Sequence, residues 1–504
     1  MARDYRLVDR ETPFLLPPDI REWLPAGHFA LFLLDVVARL DTSALHSRSR
    51  RGGTGRQGYD PDMLLGLWLY ASARGISSSR MIERACVEDV AFRVLCAQDA
   101  PDHTVLARFR AQHRDAMTEL FAQVFALCIK VGMGRFGQVA IDGTKISANA
   151  SLSQTRSLKT LRKLAAVELQ KAEDTDLAED EAGDDDDGQV PPEFTGTDRA
   201  ARIQAAIASV EEQLQDELLT PLEAVKKKEK AAAKRLTREE AAQAALVADY
   251  AAAKAAGKTP RGRRPVPGGG RKAEIARKSW ESVTRKAAKL EREYEDLAVG
   301  APVKNRKLAR RNTTDPESRV MKTRKGFIQG YNAQLAVTDD HLVMVAVLTN
   351  DPNDQGWLVP IMDEVQATLA DMTQRTGRTD LRIGTLTADS GYLSDAAVQA
   401  PGPERLIAPG RGGTDQDGWN GTLTQGKTSA QLMATKLKDP ANRALYGRRS
   451  ATVETLNAHL KDGRGLRRFA CRSKLAAQAE LTMAAMVTNL TRIYNRLGTL
   501  PATA

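Results

Sequence analysis

Three acidic residues have both the type and the setting to do chemistry. Asp142 closes the apolar run QVAID, Asp389 closes LRIGTLTAD, and Glu454 lies within YGRRSATVETLNAHLK. A carboxylate at the end of a buried strand is costly to desolvate, so it is unusual there unless it is needed. In an α/β sheet the strand ends carry the site. Three carboxylates converging on one point repel each other, so the arrangement makes sense only with cations. Oxygen-only ligation with spare water positions is a preference of Mg2+ or Mn2+. Two such ions can activate an attacking water or hydroxyl and stabilise the leaving oxygen of a phosphodiester.

The surroundings of Glu454 add geometry. Tyr446 and Arg449 precede it and Lys461 follows it. On a continuous helix Glu454 and Lys461 are two turns apart and share a face, with Arg449 on nearly the same side. That face offers an acid for metal, flanked by basic groups for phosphates. Glu404 and Glu480 are alternative third acids without this basic setting.

Plainer readings stand beside each residue. Asp142-Gly143 alone reads as a turn, Asp389 before Ser-Gly-Tyr as a helix cap, and Glu454 as a solvated helix acid. His103 reads as a helix-start residue. Asn332 and Gln334 alternate on one strand and either face the site or are edge polars. Asn353 and Asp354 most simply begin the helix after a hairpin. What favours the catalytic reading is the joint order of the acids on their elements.

That order is strand with acid, β-hairpin, helix, strand with acid, strand, helix with acid. It is the order of an α/β, ribonuclease-H-like sheet with a helical segment between its first and second strands. QVAID is expected as a short strand, followed by a turn in DGTK. SRVMK, GFIQGYNAQLAV and HLVMVAVLTN read as strands, with a hairpin turn at Thr338-Asp339-Asp340. DQGWLVPIMDEVQATLADMTQ reads as a helix, and SKLAAQAELTMAAMVTNLTRIYNRL as a closing amphipathic helix.

The other segments fall around this sheet. Residues 1–57 form an N-terminal segment ending in a basic loop. Residues 58–132 read as a helical, helix-turn-helix-like DNA-binding domain, with Arg108, Arg110 and Arg114 facing outward together. The catalytic domain takes 133–151 and 301–504. Residues 152–300 read as a charged α-helical insertion, an antiparallel hairpin or coiled coil. Its Gly/Pro/Arg loop, with Arg261, Arg263 and Arg264, is either a soluble linker or an arm for a minor groove. The acidic run EDEAGDDDDGQVPP reads as a solvated loop rather than a metal site.

Composition sets outer limits. The 504 residues carry 74 Lys and Arg against 64 Asp and Glu, a net charge of +10 that suits a polyanion partner. No apolar run is long enough for a spanning helix, and the first residues do not read as a signal peptide. Four cysteines without a C-x-x-C pair argue against a zinc ribbon or disulfide framework and fit a reducing cytoplasm.

At the three acids the chain resembles the DDE transposases of bacterial insertion sequences that carry a Tyr-Arg-Glu-Lys signature, and in particular insertion sequence family 1182. The matching stretches are DGTKI at Asp142, TADSGY at Asp389, and YGRRSATVE followed by HLK and GRGLRRF. The signature usually has three residues between Arg and Glu, and this chain has four, which bears on Arg449 more than on Glu454. YDPDMLLGLWLYA, PDHTVLARFR, DPESRVMK and GYNAQLAV extend the resemblance over nearly the whole chain except the helical insertion. It implies a transposase that binds the inverted-repeat ends of its element, cleaves phosphodiester bonds and joins 3′ hydroxyl ends to target DNA. It also implies two Mg2+ or Mn2+ ions on Asp142, Asp389 and Glu454, DNA contacts from Tyr446, Arg449 and Lys461, and a homo-oligomer, a dimer on DNA. A nuclease with the same triad that does not join strands, and an inactive DNA-binding descendant, are the alternatives.

Overall fold

A computed structural model of the chain describes residues 19–47, 58–168, 199–258, 264–298, 310–410 and 428–501. Arg261 and Arg263 lie outside the described residues, as do the basic loop 48–57 and the acidic run. The chain divides into two compact units, Met1–Ser153 with Glu317–Ala504, and Gln154–Pro316.

The first unit begins with helices α1 (Phe29–Val37), α2 (Ser43–His46), α3 (Pro61–Ala73), α4 (Ser79–Glu88), α5 (Val90–Leu95), α6 (His103–Gln112) and α7 (Ala116–Lys130). α3 starts where the sequence expects it. Asp60 accepts from the Asp62 amide and Pro61 takes the first helical position. Residues Leu64 to Ala71 are all buried, so α3 is the core of the helical part rather than one of its faces. α6 is capped by Asp102, whose carboxylate accepts from the Thr104 amide at 2.7 Å, and His103 is its first residue.

β1 (Gln138–Ser147) follows, and the chain then enters the second unit. There β2 (Thr155–Ser157), α8 (158–168), α9 (Arg199–Ala255), α10 (Arg271–Ala298) and β3 (Arg310–Asn312) succeed one another. β2 and β3 pair antiparallel, which returns the chain to where it left. Leu158 and Leu161 pack with Ile203, Ile207, Val210 and Leu214 of α9. Lys226 pairs with Glu291, and Arg277 with Glu240, each at 2.7 Å, so α9 and α10 run antiparallel. Their contact is lined by the small buried residues Ala273, Ala276 and Ala287.

Back in the first unit come β4 (Arg319–Thr323), β5 (Gly326–Thr338), β6 (Val343–Thr349), α11 (Leu358–Thr376), β7 (Thr385–Ala388), α12 (Asp395–Gln399) and β8 (Glu404–Ile407). α13 (Ser429–Lys436), α14 (Pro440–Ala458) and α15 (Lys474–Leu497) complete it. The sheet order is β4-β5-β1-β7-β8, with β6 also on β5. β1 is antiparallel to β5 and parallel to β7, and β7 is parallel to β8. The hairpin β5–β6 turns at Asp339 and Asp340, with His341 at positive φ.

β1 is longer than expected. It does not end at Asp142, and DGTK is not a turn. β5 pairs with it residue by residue from Val139↔Thr338 to Ser147↔Gly330, so these peptide groups complete a ladder. Strand alternation then sorts the side chains. Ala140, Ile146, Tyr331, Ala333 and Leu335 pack on the face covered by α14 and α15. Val139, Ile141 and Ala336 join the core that includes α11. Asp142 opposes Leu335 and shares the α14 face, whereas Gly143 opposes Gln334 on the α11 face.

Candidate active site

Asp142 sits at the middle of the sheet and is held by α14. Asp439 caps this helix and Pro440 begins it. The Arg449 guanidinium donates to Asp142 Oδ1 at 2.6 Å and to the Ile141 carbonyl at 3.3 Å. Asn457, two turns later, donates from Nδ2 to Asp142 Oδ2 at 2.8 Å. Burial pushes the Asp142 carboxyl above its ordinary value against the pull of Arg449, and the neighbouring Asp389 and Asp354 push it further.

Asp389 follows the last residue of β7, the strand beside β1. Its Oδ1 accepts from the Gly391 amide at 2.8 Å and so caps the single turn Ser390–Tyr392. The plain reading as a cap therefore describes it. Tyr446 hydroxyl donates to the Ala388 carbonyl at 3.3 Å, fixing α14 to the end of β7. Burial raises the Tyr446 hydroxyl pKa.

Glu454 is exposed on α14 between Arg449 and Asn457, and among the described residues it has no hydrogen-bond or ion-pair partner. Lys461 departs from the expected spacing, because the α-helix ends at Ala458 and residues His459–Gly463 form a π turn. The wider turn shifts Lys461 off the two-turn register with Glu454. Its half-buried ammonium has a lowered pKa, chiefly from desolvation and then from Arg467, with Asp142 opposing. Arg449, expected toward phosphates, here spends its charge on Asp142.

Sequence reasoning left Asp354 as a helix-start residue, and the structure brings it to the site. Asp354 Oδ1 accepts from Asn332 Nδ2 at 2.8 Å and from Gln334 Nε2 at 2.7 Å. Gln334 Oε1 in turn accepts from the Tyr392 hydroxyl. Asp354 lies over Gly143, where any Cβ would collide with its Oδ1. A Cβ on Gly391 would lie 3.0 Å from Asp389 Oδ1 and 3.5 Å from Asp354 Oδ2, so both acids border one small opening. The available signal was two amides at alternate positions of a strand otherwise filled by Tyr331, Ala333 and Leu335, all fully buried. Asn457 had no such signal.

The helical part differs from the expected outward-facing trio. Arg108 is exposed, but Arg110 lies with Cζ 4.5 Å from the centre of the Trp68 ring and donates to the Ser77 carbonyl at 3.0 Å. Residues two apart on a helix point in nearly opposite directions, so Arg108 and Arg110 cannot share a face. Arg114 lies beyond the end of α6 and is half-buried. Arg264, just before α10, is exposed.

The donor chemistry at Asp142 and Asp389 suits a hard divalent cation, because every available atom is oxygen. Asn457 Oδ1 is buried beside Asp142 without a partner, an acceptor left over once its nitrogen has met the carboxylate. Among the described residues, the triads with ligand atoms within 4.8 Å of one another lie in the helical part instead. They are His46, Asp60 and Asp62, and Glu83, Asp102 and His103. His103 is tied there to Glu83 at 3.0 Å, and no described helix is long and apolar enough to cross a membrane.

The mixed sheet, with acids at the centre of β1 and the end of β7, fits a ribonuclease-H-like fold. Comparison with known families agrees. A transposase domain family (DUF772) matches residues 18–112, and the transposase DDE domain family matches residues 307–490. Together these domains indicate a DNA transposase. No curated protein and no solved structure matches significantly. The DDE domain match includes Asp354, Asp389 and Glu454, while Asp142 lies before it.

Proposed function

We propose that this chain is an insertion-sequence transposase of the Tyr-Arg-Glu-Lys type, similar to insertion sequence family 1182. It binds the inverted-repeat ends of its element as a homo-oligomer, cleaves phosphodiester bonds and joins the 3′ hydroxyl ends to target DNA. Asp142, Asp389 and Glu454 are its catalytic carboxylates and would hold Mg2+ or Mn2+. When bound, the two ions supply charge neutralisation at the reacting phosphate and activation of the attacking oxygen. The reading rests chiefly on one observation: Asp142 lies on β1 and Asp389 directly follows the adjacent parallel strand β7, near enough to help raise the Asp142 pKa.

The reaction needs no external energy source. Water first attacks the phosphorus at the element end and frees a 3′ hydroxyl. That oxygen then attacks a target phosphorus, one P–O bond forming as another breaks. Arg449 opposes the burial-driven rise of the Asp142 pKa and orients its carboxylate, and Asn457 fixes its second oxygen. Glu454 stands on the helix that supplies both, which supports it as the third acid. Tyr446, Lys461, Arg108, Arg114 and the loop arginines Arg261, Arg263 and Arg264 are proposed to meet DNA, whereas Arg110 packs on Trp68 and Arg449 is engaged by Asp142. The helices of 152–300 are proposed as an insertion within the catalytic domain.

The test is a cleavage and strand-transfer assay with end oligonucleotides and Mg2+. D142N, D389N and E454Q should each abolish both products and retain end binding, which draws mainly on phosphate contacts elsewhere. Cleavage without joined product in the wild type would favour a nuclease. Full activity of any one variant would remove that acid from the set.

A further inference from the structure

Asp354 is not one of the three proposed catalytic acids, yet it is the hub of a buried polar network beneath one of them. Asn332, Gln334 and Tyr392 are all fully buried. A carboxylate can only accept, so both amides must turn nitrogen toward Asp354 Oδ1. For Asn332 this strands Oδ1, which is buried without a partner. An unsatisfied buried acceptor costs on the order of 1–3 kcal/mol. A core selected for stability alone would place an apolar residue at this strand position, and Ala336 on the same face of β5 belongs to the apolar cluster there. For Gln334 the same orientation frees Oε1 for the Tyr392 hydroxyl. Desolvation and the nearby carboxylates of Asp354, Asp142 and Asp389 push the Tyr392 pKa up, so this hydroxyl keeps its proton and donates. Tyr392 closes the turn that Asp389 caps.

We propose that Asp354 is a positioning residue for Asp389: through Gln334 and Tyr392 it fixes the turn that aims the Asp389 carboxylate at its cation. The proposal rests on the reading of Asp389 as a metal ligand. Gly143 belongs to the same device, because only a residue without Cβ lets Asp354 reach across β1 to both amides.

Two measurements on the full chain test it. The first is amide hydrogen exchange over residues 389–393, which does not depend on metal. D354A and Y392F should speed exchange there at least tenfold and leave the β1 and β5 amides protected. D354N keeps an oxygen acceptor for both amides and should stay within about threefold of the wild type. The second is Mn2+ affinity by paramagnetic resonance without DNA. D354A and G143A should bind Mn2+ at least tenfold more weakly, with D354N largely rescued. Unchanged exchange over 389–393 in D354A would overturn the proposal. So would a loss of Mn2+ binding in D354N as large as in D354A, since Asp354 would then act by its charge. D389N separates the two levels. If D389N binds Mn2+ like the wild type, the reading of Asp389 as a ligand fails, while the exchange result still decides whether Asp354 holds the turn.

Discussion

Arg449 meets Asp142 at 2.6 Å with only 13% and 18% of the two side chains exposed. In this position Arg449 is the counter-charge of the central acid. Burial nevertheless leaves the Asp142 carboxyl with a raised pKa, so the guanidinium does not fully offset its desolvation. A group in that condition gains from a further cation, which is the electrostatic sense of a carboxylate at the centre of a sheet.

Removing either partner leaves a buried charge uncompensated. R449A should therefore lower unfolding stability by about 3 kcal/mol. The double variant R449A/D142N should lose less than the sum of the singles. Urea unfolding of the four proteins measures this, and additive losses would mean that the pair is not coupled.

Arg108 and Arg110 should separate experimentally. R110A removes a cation over the Trp68 ring and should cost about 1 kcal/mol of stability while leaving the salt dependence of DNA binding unchanged. R108A should reduce that dependence by about one unit of slope. Equal changes of slope in both variants would show that Arg110 swings out to DNA.

Much of this was readable from residue types, and the unread part has identifiable causes. The strand order around Asp142 and Asp389 follows from apolar runs and turn residues, and β5, β6 and β7 lie where those signals put them. The end of β1 was not readable, because Asp-Gly is a turn signal locally and only pairing with β5 overrides it. Asp354 was hidden for a related reason. An acid two residues after a proline looks like a cap until Gly143 and the two strand amides are known to face it. The π turn at Lys461 likewise breaks a helical period that the residue types do not interrupt.

Glu480 gives a prediction in pH. It is half-buried on α15, where its carboxylate accepts from the Ala470 and Cys471 amides at 3.0–3.2 Å. Desolvation raises its pKa against these hydrogen bonds and against Arg110. A raised carboxyl pKa means that the folded state binds this proton more tightly than the unfolded chain. Its contribution to stability is present in acid and lost as pH rises through the folded value. The amide side chain introduced by E480Q cannot titrate, so the stability of E480Q minus that of the wild type should increase from acid to neutral pH. Thermal unfolding across about pH 4–7 reads this, and a flat or falling difference would show that the hydrogen bonds outweigh burial.

The turn between α9 and α10 separates binding from folding. The described part, residues 264–270, is largely exposed, and its tie to α9 is the Gln243 side chain donating to the Val266 carbonyl at 3.1 Å. The ion pairs that join the helices, Arg277–Glu240 and Lys226–Glu291, lie beyond the turn. Deleting residues 259–272 and closing the helices with a short linker removes Arg261, Arg263, Arg264, Arg271 and Lys272 but no buried apolar side chain among the described residues. Thermal unfolding should therefore shift little. If the turn meets DNA, assembly on element ends should weaken and lose part of its salt dependence, because each phosphate contact removed takes about one unit of slope with it. The contrary pattern, a large fall in unfolding temperature with normal end binding, would assign these arginines to packing and leave the helical part and Lys461 to carry the phosphate contacts.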